Sequence, residues 1–251
     1  MAKVGSVTLL GPPRPAAAWL NSGDPGKEVA PVTTLQTVSV VDALVNTLRA
    51  RVLDGHLAPR TTLVEADVAA EFGVSRPTAR SAITLLVHEG LLRRQAHKSA
   101  HVPVLSRADV EDLFLVRIPL EIGVVGAVVA HGAPPAGAGR AVAALAAVPD
   151  DAPHSVFVDA DLDFHRALVG SVASPRLTRL YAALSGEIHL SMVQSRYVLG
   201  RDRIAAEHRQ VLEALEAGDA ALAEERMRAH LEGACEALAG SLEDADPADP
   251  V

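Results

Sequence analysis

The sequence predicts a mainly α protein: an N-terminal winged helix-turn-helix with a small β-hairpin, then a C-terminal all-α antiparallel helical bundle. Three observations predict it. Beyond residue 38, apolar residues recur at three- and four-residue intervals, the mark of helices with one buried stripe. Aromatics are 3% against 49% hydrophobic residues, a balance rich in Ala, Leu and Val that favours helix over sheet. Only residues 92–94 and 101–104 read as strands. A chain of 251 residues fits two domains, which we place at 38–104 and 105–243 between tails at 1–37 and 244–251.

Residues 1–37 are rich in Gly, Pro, Ser and Thr without helical period and read as a mobile tail with no assigned role. Ser39 and Asp42 make an S-x-x-D capping box, opening a helix with the stripe Val41, Leu44, Val45, Leu48 and Val52 that closes at Gly55. Residues 64–90 follow as two short helices. Val64, Val68 and Phe72 line the first, and Gly73 supplies the left-handed stop. Ser75 caps the second, with Pro77 tolerated in its first turn. Its back carries Ala79, Ala82, Ile83, Leu86 and Val87; Arg80, Ser81, Thr84 and His88 face outward, with Arg76 at the margin. An apolar back with a basic, hydroxyl-bearing front suits the major groove of DNA. A helical hairpin packed inside a larger domain is the alternative, and the Gly turn, Ser cap and outward arginines together oppose it. The strands at 92–94 and 101–104 would form a wing with its tip near His97, Lys98 and Ser99.

Charge is unevenly spread. The net −8 comes from residues 105–251, with twelve basic and twenty-three acidic side chains, whereas residues 38–104 carry eight and six. A mildly positive reading head on an acidic body is compatible with salt-sensitive DNA binding. One cysteine excludes an internal disulfide framework and suggests a reducing compartment. The longest apolar run, 118–130, is broken by Pro119 and Glu121 and too short to span a bilayer, and the N-terminus lacks a proper signal peptide. A cytoplasmic protein without a membrane partner is expected.

Ser106 and Asp109 form a second capping box, opening a helix that Pro119 should kink or split. Arg117 and Glu121, four apart, could pair; core scaffolding and a ligand site both remain open for them. A loop at 132–139, a short helix at 140–148 and a loop at 149–154 lead to a helix at about 155–172. On its apolar arc Asp161 and His165 stand at i and i+4, where a carboxylate and an imidazole need partners. After a helix with the stripe Leu177, Leu180, Tyr181, Leu184, Ile188 and Met192, His208 and His230 fall on the apolar stripes of the last two helices. These helices meet at Gly218-Asp219, and an antiparallel pair brings the two histidines to nearly one level. Asp161, His165, His208 and His230 thus suit a divalent metal, zinc first, with nickel, manganese or iron also compatible. His131, His154, His189, Glu187 and Glu207 lie off these stripes or at element ends and read as solvated.

The motifs resemble the GntR family of bacterial transcription regulators. In the head they are L-x-E-x-x-[LV]-A (Leu63, Glu65, Val68, Ala69), G-V-S-R-x-x-x-R (residues 73–80) and E-G-L (residues 89–91). The resemblance implies DNA contacts from Ser75, Arg76, Thr78, Arg80 and Lys98. Departures are Ala66 where arginine is common, Arg60 where Gly usually follows Pro59, and Ser99 where the wing usually has Gly. The second half, with R-x-x-L-E (Arg117 to Glu121, Pro119 being a departure within it), D-x-x-F-H-x-x-L (residues 161–168), E-H-x-x-[IV]-L-x-A-L-x-x-G-D (residues 207–219) and the late H-L at His230, is similar to the FCD-type ligand-binding domain of the FadR subfamily. It implies a bound metal that takes a small carboxylate effector, with Arg117 and Glu121 at the effector site.

A DNA-binding regulator, acting as a homodimer on a pseudo-palindromic operator and answering to a small organic acid, is the leading expectation; repression is preferred to activation. A metal-dependent hydrolase or oxygenase built on the same cage is the alternative. It lacks an evident general base and leaves the 64–94 motif without a role. A regulator sensing the metal itself is the third.

Overall fold

The computed structural model describes residues 39–132, 136–195 and 200–242. The expected tails at 1–37 and 244–251 lie outside these. The described residues form one compact unit. Its head comprises α1 (Val40–Leu53), β1 (Thr62–Leu63), α2 (Glu65–Phe72), α3 (Arg76–His88) and β2 (Ala100–His101). Its body comprises α4 (Arg107–Ala130), α5 (Ala136–Ala146), α6 (His154–Ser171), α7 (Pro175–Gln194), α8 (Arg201–Glu216) and α9 (Ala220–Gly240).

Head helices begin and end where the capping residues dictate. The Ser39 hydroxyl accepts from the Asp42 N–H at 3.1 Å, Gly73 closes α2 at φ +65°, and Ser75 caps α3 by accepting from the Thr78 N–H at 3.2 Å. Leu48, Ala79, Ala82, Ile83 and Leu86 bury the shared face of α1 and α3. The wing differs from the expected hairpin. Residues 92–94 contribute one bridge, Arg93 to His101, while the ladder proper pairs Thr62 with His101 and Leu63 with Ala100. Two short strands alone are marginal in water, and the segment after the Pro59 turn supplies the third. That turn puts Arg60 at φ +69°, and the wing tip puts His97 at φ +64°, both left-handed without glycine.

In the body, α4 packs along α9, α5 along α6 and α8 along α9. The Ser106–Asp109 capping box forms reciprocally, and the second Asp109 oxygen accepts from Arg93 of the wing at 2.5 Å. Burial opposes charge on Asp109, yet these Ser106 and Arg93 bonds hold its carboxyl below the ordinary range. Pro119 does not split α4: it lies on the exposed side of one unbroken helix, while Val110, Phe114, Val124 and Val125 anchor the stripe to either side. The short helix expected at 140–148 begins earlier, at Ala136.

Helix α7 joins body to head. Leu190 sits in the head's core, and the Gln194 amide accepts from the Leu105 N–H at 2.9 Å and donates to the Pro103 carbonyl at 2.8 Å. At Gly186 an added Cβ would lie 2.0 Å from the Glu89 carbonyl oxygen, so the end of α3 rests directly on the α7 backbone.

Candidate functional site

Two sites emerge. The first is a cleft of about 390 Å³ between the start of α3 and the wing tip, walled by Arg76, Arg80, Arg94, His97, Lys98 and Glu65 among others. It gathers the expected Arg76, Arg80 and Lys98. Arg80 stands 71% exposed at the side chain, its Nε donating to Glu65 at 3.0 Å; Arg94 approaches the other Glu65 oxygen at 3.5 Å. One carboxylate therefore poises two guanidinium groups at the mouth of a cationic cleft. The exposed hydroxyls of Ser75 and Thr78 pair at 2.8 Å at the start of α3, while Ser75 also caps the helix. Arg94 joins Arg76 and Arg80 from the wing, where the sequence showed only a basic run, and His97 stands at the expected wing tip.

The second site lies in the body. Asp161 and His165 come from α6, His208 from α8 and His230 from α9, and all four are buried. One nitrogen or oxygen of each lies within 4.8 Å of the others. The Gly218 turn, at φ +71°, folds α9 back along α8 and sets His208 Nε2 3.2 Å from His230 Nε2. Asp161 Oδ1 stands 3.4 Å from His208 Nε2.

Glu121 accepts from His165 Nδ1 at 2.5 Å, and Glu207 from His230 Nδ1 at 2.9 Å. A carboxylate can only accept, so each Nδ1 carries a proton, which in a neutral ring leaves Nε2 with its lone pair. The protein thus fixes two imidazoles in the tautomer a metal needs. Burial drives His165 below its ordinary range despite Glu121, and burial with His230 and His165 drives His208 well below it, so both are neutral. Burial opposes ionisation of Glu121 too, but Arg117 and His165 hold it at about 2.

Among the described residues, seven buried side-chain nitrogen or oxygen atoms lack a hydrogen-bond partner: Arg93 Nη1, Arg117 Nη2, Asp161 Oδ1, His165 Nε2, Tyr181 Oη, His189 Nε2 and His208 Nδ1. Five of them belong to this cluster or act on it electrostatically. Four of these divide by chemistry. His165 Nε2 and Asp161 Oδ1 offer lone pairs, which a cation satisfies. Arg117 Nη2 and Tyr181 Oη offer protons, which an anion or another acceptor satisfies. A metal with bonds of ~2.0–2.1 Å sets neighbouring ligand atoms ~3.0–3.4 Å apart, as the closest pairs here are. The residues fit a divalent ion.

Glu121, expected as an effector contact, has both oxygens committed, Oε1 to Arg117 Nε at 2.6 Å and Oε2 to His165. It links the arginine to the cage. Arg117 is 2% exposed. Of the five residues read as solvated, only His131 is plainly so. His189 is buried at 4%, His154 bonds the Met192 carbonyl at 3.2 Å, Glu187 is half-buried against Gly90, and Glu207 orients His230. A helix carries these groups inward or across a neighbour regardless of their place on its own apolar stripe.

Comparisons with known proteins agree with both halves. Residues 41–102 match the profile "Bacterial regulatory proteins, gntR family" and residues 112–233 match the FCD domain. A Paenarthrobacter nicotinovorans protein named for repression of a D-xylose utilization operon is 29% identical over 72% of this chain and 80% of its own length. A Streptomyces ambofaciens HTH-type transcriptional regulator is 29% identical over 73% of this chain and 78% of its own. Among solved structures, a Rhodococcus sp. RHA1 GntR regulator superposes with a TM-score of 0.69 at 24% identity, over 81% of this chain and 99% of that one. E. coli McbR/YncC gives 0.67 at 18%, over 80% and 98%. These two establish the likeness of fold. The relatives are transcription regulators, not enzymes, which closes the hydrolase alternative. With a winged helix-turn-helix in front and an FCD domain behind, this chain belongs to the GntR family of bacterial transcription regulators.

Proposed function

We propose that this regulator is a homodimeric, cytoplasmic repressor of the FadR subfamily whose grip on a pseudo-palindromic operator is set by a small carboxylate taken up at a divalent metal. The observation that carries it is the convergence of Asp161, His165, His208 and His230 on one buried point, with two imidazoles locked by carboxylates. Imidazole and carboxylate donors favour zinc, and nickel, manganese or iron suit the same set. Bound there, the ion supplies a Lewis-acid centre for an oxygen anion.

Charge argues for the anion. The fully buried charges among the described residues are Arg117, Glu121 and Asp161. A divalent ion beside them leaves one net positive charge in the interior, which a carboxylate would neutralise. Unpaired buried charge is costly, so the loaded cage favours an anionic ligand. Arg117 Nη2, without a partner, is the donor such a ligand would meet. On the DNA side, Ser75, Arg76, Thr78, Arg80 and Lys98 serve as contacts, joined by Arg94 from the same cleft.

One titration tests this. Zinc-loaded chain is mixed with a duplex selected for binding, with and without acetate. We expect acetate to shift operator affinity roughly 5- to 150-fold. His208→Ala should lose stoichiometric metal and the acetate response together; full metal occupancy in this variant rejects the cage. Arg80→Ala should weaken the operator complex by about 1–3 kcal/mol, and unchanged affinity removes it from the interface. Release of DNA by metal alone, indifferent to acetate, would make the ion itself the signal.

A further inference from the structure

Glu65 stands where a DNA-reading face should least tolerate it. Among the described residues that wall the cleft between α3 and the wing tip it is the one carboxylate, set among Arg76, Arg80, Arg94 and Lys98. A negative charge there repels the phosphates that those cations attract. The chain fixes it in that place. Leu63, two residues earlier, is buried in the head's core and pairs with Ala100 of the wing ladder, which anchors the first turn of α2 beside the wing. An acidic residue in a first turn suits the helix dipole, but α2 also has Asp67 there. Helix stability therefore does not single out position 65.

Its contacts do. Arg80 Nε donates to Glu65 Oε2 at 3.0 Å, and Arg94 Nη2 approaches Oε1 at 3.5 Å. Arg80 is exposed, whereas Glu65 and Arg94 are half-buried. An exposed arginine samples many rotamers, and freezing it on a base opposes binding. A carboxylate bonded to Nε removes part of that freedom beforehand. It leaves the Nη1–Nη2 edge, the fork that fits guanine O6 and N7. The same carboxylate offsets charge on both arginines, which cuts the sequence-independent pull on phosphates. Both effects widen the gap between the right duplex and any other.

We propose that Glu65 is a specificity-determining residue of the reading head, aligning Arg80 on one guanine and restraining binding to duplexes that lack it. It is a positioning residue, acting through Arg80 and Arg94. The proposal rests on the reading of Arg80 as a DNA contact and adds the residue that directs it.

The test uses the full chain, a duplex selected for binding, its single base-pair variants and a random duplex of equal length. Affinity is followed by fluorescence anisotropy over a salt series, alongside melting temperature. Arg80→Ala identifies the G·C pair at which preference is lost. Glu65→Ala should lower preference at that same pair roughly tenfold. It should also tighten the random duplex about threefold, with a salt slope steeper by about one. In the Arg80→Ala background it should change preference at that pair no further. Glu65→Gln keeps an oxygen for Nε and drops the charge, so it should tighten the random duplex while retaining most of the base preference. A merely structural role would weaken every duplex by one factor and lower the melting temperature, and that outcome overturns the proposal. So does unchanged preference in Glu65→Ala, or an equal loss of preference once Arg80 is gone. If Arg80→Ala changes preference at no pair, the base-contact reading itself fails, and this inference with it.

Discussion

His189 is a histidine that the fold keeps uncharged. Burial, and then the guanidinium of Arg166, press it down to about 4, and although Asp159 lies 3.7 Å from Nδ1 the neutral ring makes no ion pair of that contact. The consequence has a definite sign. Above pH ~6.5 both folded and unfolded chains hold the ring neutral and it contributes nothing. As pH falls below that, the unfolded chain takes a proton that the folded one refuses until about 4, so stability drops across this window. The total is on the order of 3 kcal/mol. Removing this loss with His189→Gln should make urea-unfolding stability less steep between pH 7 and 4.5; curves running parallel across that range would contradict the assignment. Nothing in sequence marked His189 as buried, since it falls beside rather than on the stripe of its helix. The same limit hid Glu207: it precedes His208, points away from the ring it adjoins, and reaches the histidine of the next helix instead. The four cage residues were legible because each interrupts an apolar stripe, where an imidazole or carboxylate has no reason to be unless it has a partner.

Helices were readable from caps and stripes, and their contacts less so. The Ser75 cap, the Gly73 stop and the Ser106–Asp109 box all form where the sequence puts them. Pro119 misled because its effect depends on which side of α4 faces solvent. The ring on an exposed side forfeits one hydrogen bond and leaves the packed side intact. β1 was invisible, two residues long with no alternation to show it. The most consequential contact between elements also has no local signature. Gly186 of α7 admits the end of α3 so closely that a methyl group would sit 2.0 Å from a backbone oxygen, whereas the clash at Gly90 is with the flexible Glu187 side chain. Gly186→Ala must therefore push head from body, at a cost of about 1–3 kcal/mol. We expect a lower melting temperature with full metal content. An unchanged melting point would show that this seat does not bind the two together. Because α7 also grips residues 103 and 105 through Gln194, it is a helix that ties the body to the head.

At the scale of the whole molecule, α4 is long and apolar enough to cross a membrane by length and composition, yet it carries the buried Arg117–Glu121 pair and lies within the FCD match. Its outer side remains apolar: Leu115 is 72% exposed and Val116 48%. A second copy of the chain covering this face is our reading, since two reading heads are needed for a two-fold operator. Leu115→Glu should therefore yield a monomer by sedimentation with its metal retained and its operator affinity strongly reduced; a variant that sediments as the wild-type dimer would move the interface elsewhere. The amino-acid sequence alone determined the helical class, the order of head and body, and the four inward polar residues that converge in the body, because caps, periodicity and polar interruptions are local properties of the chain. The tertiary structure alone decided which carboxylate holds which imidazole, that the Tyr181 hydroxyl is buried without a partner, and that Gly186 seats the end of α3. Each of those depends on the distance between side chains on different helices, and that distance is fixed only when the helices pack.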